Sequence, residues 1–188
     1  GIKTGLNEAF IINGAKRDEL IAQAPKSAEI IRPILRGRDI KRYKAEFADL
    51  WLINTHNGYG KVPRINVQKD YPAIWEHLQR INSETNGGVE KRQDQGQHWS
   101  TLRNCAYLDS FEKEKISWGN LALSAQFAIV KAGMYVSAPS PLITPASQYM
   151  LAVLNSTLGD YYIRSLGVSR SGGYLEYKPM FVENLPIP

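Results

Sequence analysis

Leu35-Arg-Gly-Arg-Asp-Ile-Lys-Arg-Tyr43 sets four cationic side chains, Arg36, Arg38, Lys41 and Arg42, against a single carboxylate, and Lys44 follows directly. A glycine bends the segment and a tyrosine closes it. So many guanidinium and ammonium groups on so short a stretch make poor core material. They are good material for meeting phosphates, because basic side chains supply most of a protein's sequence-independent affinity for nucleic acid. The competing reading is a solvated loop whose cations pair with nearby carboxylates. The residues on either side decide between the two.

The chain of 188 residues is long enough for one domain with a sizeable core and too short to expect two. A hydrophobic share of 43% and a charged share of 22% are ordinary for a globular protein, so nothing points to a disordered or fibrous chain. The net charge of +5 suits a polyanionic partner, and it is small enough that any nucleic-acid face must be local. One cysteine, Cys105, excludes an internal disulfide and argues for a reducing compartment, hence a cytoplasmic location. No apolar run approaches the ~18 residues of a membrane span. The sequence opens on Gly1 and not on methionine, so an excised domain of a larger chain is expected.

Outward from the basic stretch, Leu50-Trp-Leu-Ile53 is apolar throughout and reads as a buried strand. Upstream, Asn13-Gly14 closes an apolar run as a turn signal, and Ala15 to Ala24 has helical spacing ended by Pro25. Ser27 is placed to cap a short helix through Ile30 and Ile31 that Pro33 stops. Downstream, Asn54 to Arg64 is a polar, glycine-rich loop. Tyr71 to Ile81 is a helix with Pro72 in its first turn and Ile74, Leu78 and Ile81 on one side. Asn82 to Thr101 is the least ordered by composition, and Leu102 to Phe111 is expected to be helical. Strands follow at Lys115–Trp118, Gln126–Val130 and from Tyr135, with Ala132-Gly133 as a turn. Ser147 to Leu166 is expected to be the longest helix, its stripe made by Met150, Val153, Leu154, Leu158, Tyr161 and Tyr162. The order is irregular, so the expected class is α+β: a mixed β-sheet domain with flanking helices.

Catalytic chemistry is sparse. His56, His77 and His98 are scattered and offer no ligand pair at metal spacing. There is no phosphate loop, no dinucleotide fingerprint and no nucleophile elbow. Glu176-Tyr-Lys178 matches the tail of a metal-dependent nuclease pattern whose other acid would be Asp160; this is the alternative of a different class. A third reading makes the Ser147–Leu166 helix a protein-docking face. The aromatic and basic loop residues say more. Tyr43, Tyr59, Trp99 and Tyr174 stand in polar or glycine-rich loops beside cations, where a ring can stack on a base. Ser169-Arg-Ser-Gly-Gly173 joins hydroxyls, a guanidinium and bare backbone, a composition suited to a phosphate.

Taken together, several blocks resemble the TaqI-like C-terminal specificity domain of type IIG restriction-modification enzymes and adenine-specific DNA methyltransferases. They are Gly1-Ile-Lys-Thr-Gly-Leu-Asn-Glu-Ala-Phe10, the 35–43 stretch, Tyr71-Pro-Ala-Ile74 and Lys115-Ile-Ser-Trp118, then Leu151-Ala-Val-Leu-Asn-Ser156, Ser171-Gly-Gly-Tyr174 and Asn184-Leu-Pro-Ile-Pro188. The resemblance implies a target recognition domain that holds double-stranded DNA and is non-catalytic by itself. It implies an N-terminal methyltransferase domain as the partner in the parent chain. No cofactor is expected in this fragment; S-adenosylmethionine belongs to the parent, and magnesium as well if the parent cleaves. No membrane partner is expected. The candidate DNA-binding residues are Arg36, Arg38, Lys41, Arg42, Lys61, Arg64 and Arg170 along the duplex, with Tyr43, Asn57, Tyr59, Ser169 and Ser171 near base edges. No residue is expected to be catalytic or to bind metal.

Overall fold

The computed structural model describes residues 1–187, which divide into two compact units. One comprises Lys3–Ile34 and Asp49–Asp109. The other comprises Gly1–Ile2, Leu35–Ala48 and the chain from Ser110 onward. The class is α+β, with short helices and several small mixed sheets. Among the described residues no helix is long and apolar enough to cross a membrane.

In the first unit the apolar strand Leu50–Ile53 forms as expected and is paired on both sides. Ile11–Asn13 runs antiparallel to it with Ile11 opposite Leu52, and Ile31–Leu35 runs antiparallel with Ile31 opposite Ile53. Two local expectations are corrected here. Asn13-Gly14, expected as a turn, is a strand-to-helix junction. The Asn13 side chain accepts from Lys16 N at 2.9 Å and caps the helix Gly14–Gln23. Gly14 is required because the Asp49 carboxylate docks on its backbone; a Cβ there would lie 2.4 Å from Asp49 Oδ2. Likewise Pro33 does not stop a helix through Ile30 and Ile31. A 3-10 turn ends at Glu29, and Pro33 sits within the following strand opposite Trp51, its fixed φ compatible with extended backbone.

The helix Pro72–Glu84 buries Ile74, Leu78 and Ile81 on the side its spacing indicates. His77 is buried among them. Its Nε2–H donates to Ala9 O at 3.0 Å, and burial lowers its pKa, so it is a neutral core imidazole. The 82–101 region is better ordered than its composition suggests. A short helix, Gly88–Lys91, leads into Arg92, which is only 6% exposed and ties the following loop down from inside. Leu102 to Phe111, expected to be helical, forms only a 3-10 turn at Leu108–Glu112.

The second unit is built on a three-stranded antiparallel sheet with Lys115–Trp118 in the middle. Leu142–Ile143 lies on one side and Phe127–Val130 on the other, with Trp118 opposite Phe127. Trp118, Phe127, Leu151, Leu154, Ile163 and Tyr177 make the core beneath it. A two-stranded ribbon pairs Leu121–Ala122 with Leu175–Glu176. The basic stretch forms a hairpin, Ile40–Lys41 against Lys44–Ala45, whose turn is Arg42-Tyr43 with Tyr43 at φ 65°.

The expected long helix is two. Gln148–Leu154 and Thr157–Leu166 meet at Asn155-Ser156, where Ser156 Oγ accepts from Gly159 N at 3.0 Å and caps the second helix. The break also disposes of the single stripe. Leu154 is buried whereas Leu158 and Tyr161 are 76% and 71% exposed.

Lys115 is the least expected member of this core. It is fully buried, and its ammonium donates to the carbonyls of Phe111, Lys113 and Lys131 at 2.8–3.0 Å. Burial pushes its pKa down to about 8, against the pull of Glu112 and Glu114. The unfolded chain keeps this proton to about pH 10.4. Between those values the unfolded state binds more protons, so stability must rise with pH. Relative to Lys115→Met, the wild-type protein is expected to gain about 2 kcal/mol between about pH 8 and pH 10 in urea unfolding. Parallel pH profiles for the two proteins would contradict this.

Candidate nucleic-acid interface

The candidate residues fall into two groups, one in each unit. In the second unit, Arg36 opens the basic stretch and is not free. Its Nε and guanidinium nitrogen donate to Asp39 at 2.9 and 2.8 Å, and its backbone N–H donates to the same carboxylate. Burial would raise the Asp39 pKa, but these bonds outweigh it and hold the carboxyl below its ordinary value. Arg36 and Asp39 therefore clasp the loop. Arg38 and Lys41 are exposed, and among the described residues no carboxylate pairs with either. Arg42 donates to Asn155 O at 2.8 Å and lies 5.4 Å from the Tyr43 ring, which leaves Tyr43 half exposed at the hairpin tip.

Arg38 and Lys41 line an open groove of roughly 760 Å³ together with Arg170 and Tyr174 from the 167–174 loop. That loop is closed by Arg170 N donating to Tyr174 O at 2.7 Å and turns through Gly172 and Gly173, both at φ 77°. Ser169, Arg170 and Ser171 are exposed on it. Arg170 donates to Glu176 Oε1 at 2.8 Å through Nε, and Lys178 lies 2.6 Å from Oε2. Lys178 first and Arg170 second lower the Glu176 pKa, so the one carboxylate in the groove is masked by two cations. Three cationic residues thus face one neutralised acid.

The groove holds residues that the sequence did not single out. Asn120, Gln126 and Ser140 line it, and Leu121 and Leu123 beside them are half exposed. At its floor two loops meet backbone to backbone: a Cβ on Gly119 would lie 3.0 Å from Gly37 O. Gly37 was visible as a bend in the basic stretch. Its contact with Gly119 was not, since the two lie 82 positions apart.

The nuclease pair has other work. Asp160 Oδ1 accepts from the Tyr177 hydroxyl at 2.6 Å and from Ala125 N at 3.0 Å, while Glu176 is held as described. Among the described residues no three His, Cys, Asp or Glu side chains approach closely enough to hold a metal ion.

In the first unit the loop after Leu50–Ile53 carries the remaining candidates. Asn57 donates to Asn104 Oδ1 at 2.5 Å and accepts from Gln97 N at 2.9 Å, so its carboxamide ties three segments together. Tyr59 is half-buried, edge-on to His56 at 5.1 Å, in a tight turn closed on Val62 with left-handed glycines at 58 and 60. Lys61 and Arg64 are exposed. Arg64 lines a small pocket with His98, whose pKa is lowered by burial and then by the Arg64 charge. Trp99 packs against Trp75 with ring centroids 4.9 Å apart and planes tilted by 43°, and is a half-buried member of an aromatic cluster.

Comparison with known proteins adds three findings. The model of the TaqI-like C-terminal specificity domain matches residues 32–187. Among solved structures, the Type IIL restriction-modification enzyme MmeI, determined in complex with DNA, is similar in fold with a TM-score of 0.72 at 14% identity. That likeness covers 98% of this chain and 24% of MmeI, so the chain spans about a quarter of that protein's length. No curated protein sequence matches.

Proposed function

Because this chain belongs to the TaqI-like C-terminal specificity domain family, we propose that it is the part of a restriction-modification protein that grips a DNA duplex and selects its sequence. The observation that carries this reading is the groove of the second unit, where Arg38, Lys41 and Arg170 line open space and Glu176, the one acid among the described lining residues, is already paired with Arg170 and Lys178. Phosphate contacts fix position and register on the duplex without specifying sequence, and exposed cations are suited to that role, Arg38 and Lys41 with no carboxylate partner among the described residues and Arg170 beside the Glu176 it already meets. We assign phosphate contacts to Arg38, Lys41, Arg42 and Arg170, and in the other unit to Lys61 and Arg64. Tyr43, Tyr59, Ser169 and Ser171 are the accessory contacts. Arg36 and Asn57 hold their loops in shape.

In this reading the fragment performs no chemistry. The methyl transfer belongs to a neighbouring S-adenosylmethionine-dependent adenine methyltransferase domain of the parent polypeptide, which acts in the cytoplasm. A flipped adenine needs its flanking duplex held firmly, since unstacking costs a few kcal/mol, and a specificity domain supplies that hold. An Arg38→Ala/Lys41→Ala double substitution is expected to weaken binding to every duplex alike. Each lost phosphate contact should reduce the slope of log K against log salt by about 0.9. A fluorescence-anisotropy titration across salt concentrations measures both effects. A slope identical to that of the wild-type protein would refute the assignment of these two cations.

A further inference from the structure

We infer that the floor of the same groove reads bases, with Gln126 and Asn120 as the specificity-determining residues. This rests on the duplex-binding reading above and deepens it. The rim cations cannot discriminate between sequences, because every phosphate is the same to them. A carboxamide can: it presents an acceptor and a donor side by side, the pattern that matches N6 and N7 of adenine in the major groove. Both residues line the groove, and among the described residues no hydrogen bond or ion pair engages either carboxamide.

Their positions are fixed, which is what a reading group needs. Gln126 directly precedes Phe127, whose N–H and C=O are both held by the buried Asn155 side chain at 3.0 and 2.9 Å. Asn120 accepts from Tyr177 N at 2.9 Å through its backbone carbonyl, so its side chain departs from a pinned turn. The chain spends its backbone groups on rigidity and leaves the amides free. Leu121 and Leu123, 50% and 52% exposed, supply the apolar contact that a thymine methyl group takes. The groove therefore joins exposed cations, and one acid already neutralised by Arg170 and Lys178, to uncharged hydrogen-bonding side chains, and this division is that of a surface that positions with one part and specifies with the other.

The test is selection of bound duplexes from a randomised pool, sequenced for the wild-type protein and for Gln126→Ala, Asn120→Ala, Gln126→Glu and Arg38→Ala/Lys41→Ala. The first two variants are expected to melt as the wild-type protein does and to bind random duplex nearly as tightly. Discrimination at one base position should fall by roughly 5- to 100-fold, the worth of one bidentate base contact. Gln126→Glu should move the preference at its position toward cytosine, whose N4 amino group donates to a carboxylate. The rim variant should weaken binding while returning the same motif. If Gln126→Ala and Asn120→Ala both return the wild-type motif at full strength, the inference is overturned and duplex binding stands. If the wild-type protein binds no duplex in a salt-dependent way, the functional reading itself fails and the inference with it.

Discussion

Replacing Arg92 with alanine is expected to destabilise the protein by about 3–5 kcal/mol, the range seen when a buried charge loses its partners or leaves them unpaired. Arg92 is nearly inaccessible, yet among the described residues it meets no carboxylate at hydrogen-bonding distance. Its guanidinium donates to Val89 O and Thr101 O, each at 2.6 Å, and to Trp99 O. It also lies over the face of Phe10 at 4.5 Å. Burial pushes its pKa down to about 10, which still leaves it charged at neutral pH. Thr101 O also accepts from Gly96 N at 3.0 Å, but without the guanidinium Val89 O, in the short helix, and Trp99 O, in a loop with few apolar residues of its own, would lose their donor in a dry interior. Arg92→Lys should recover only part of the loss, because a compact ammonium lacks the planar fork that reaches several acceptors at once. The packing also restricts Gly5, at φ 71°, where a Cβ would meet the Arg92 side chain at 3.0 Å. Urea unfolding gives the magnitude. Amide exchange between residues 93 and 101 should accelerate in Arg92→Ala more than exchange in the Pro72–Glu84 helix. A variant with wild-type stability would show that the carbonyls find water instead.

This arginine marks where the sequence stops being informative. Leu50–Ile53 and Pro72–Glu84 are legible because their signals are local: an unbroken apolar run, and a proline followed by apolar residues at helical spacing. Arg92 stands in a stretch of glycines and mixed charge, and only tertiary contact with Phe10 and three carbonyls makes it a core residue. The division at Asn155 is similar. Ser147 to Leu166 carries a continuous helical pattern, and the break comes from a side chain recruited by Phe127, 28 positions away. For the groove, charge density made Arg38 and Lys41 visible, and the glycine-rich loop made Arg170 visible. The pairing of Arg36 with Asp39 inside the same stretch was the competing reading of that density, and it holds for that one residue. Asn120, Gln126 and Ser140 carry no one-dimensional mark, because only the sheet brings them to the basic hairpin's groove.

Asn155→Leu is the second large effect expected, about 2–4 kcal/mol, or a fall in melting temperature of roughly 6–12 °C for a chain of this size. The side chain is 2% exposed and acts as a short piece of strand. Its Oδ1 accepts from Phe127 N and its Nδ2 donates to Phe127 O, so it satisfies both polar groups of a residue at the sheet's edge. Leucine fills a similar volume but can do neither. Phe127 O keeps one donor, Tyr43 N at 2.8 Å, whereas Phe127 N–H is left unpaired and buried, and an orphaned donor costs about 1–3 kcal/mol by itself. Asn155→Asp should also be destabilising, since a carboxylate can accept from the N–H but repels the carbonyl beside it. The contact from Arg42 goes to the Asn155 backbone and survives either change. Loss should therefore begin at the Phe127 end of the strand, with the amides of Phe127 and Tyr43 exchanging faster while those of Lys115–Trp118 remain protected. Because Gln126 hangs from this anchor, a protein that still folds as Asn155→Leu is expected to lose sequence discrimination before it loses affinity. Retention of a full wild-type motif in that variant would mean that the position of Gln126 does not depend on Asn155.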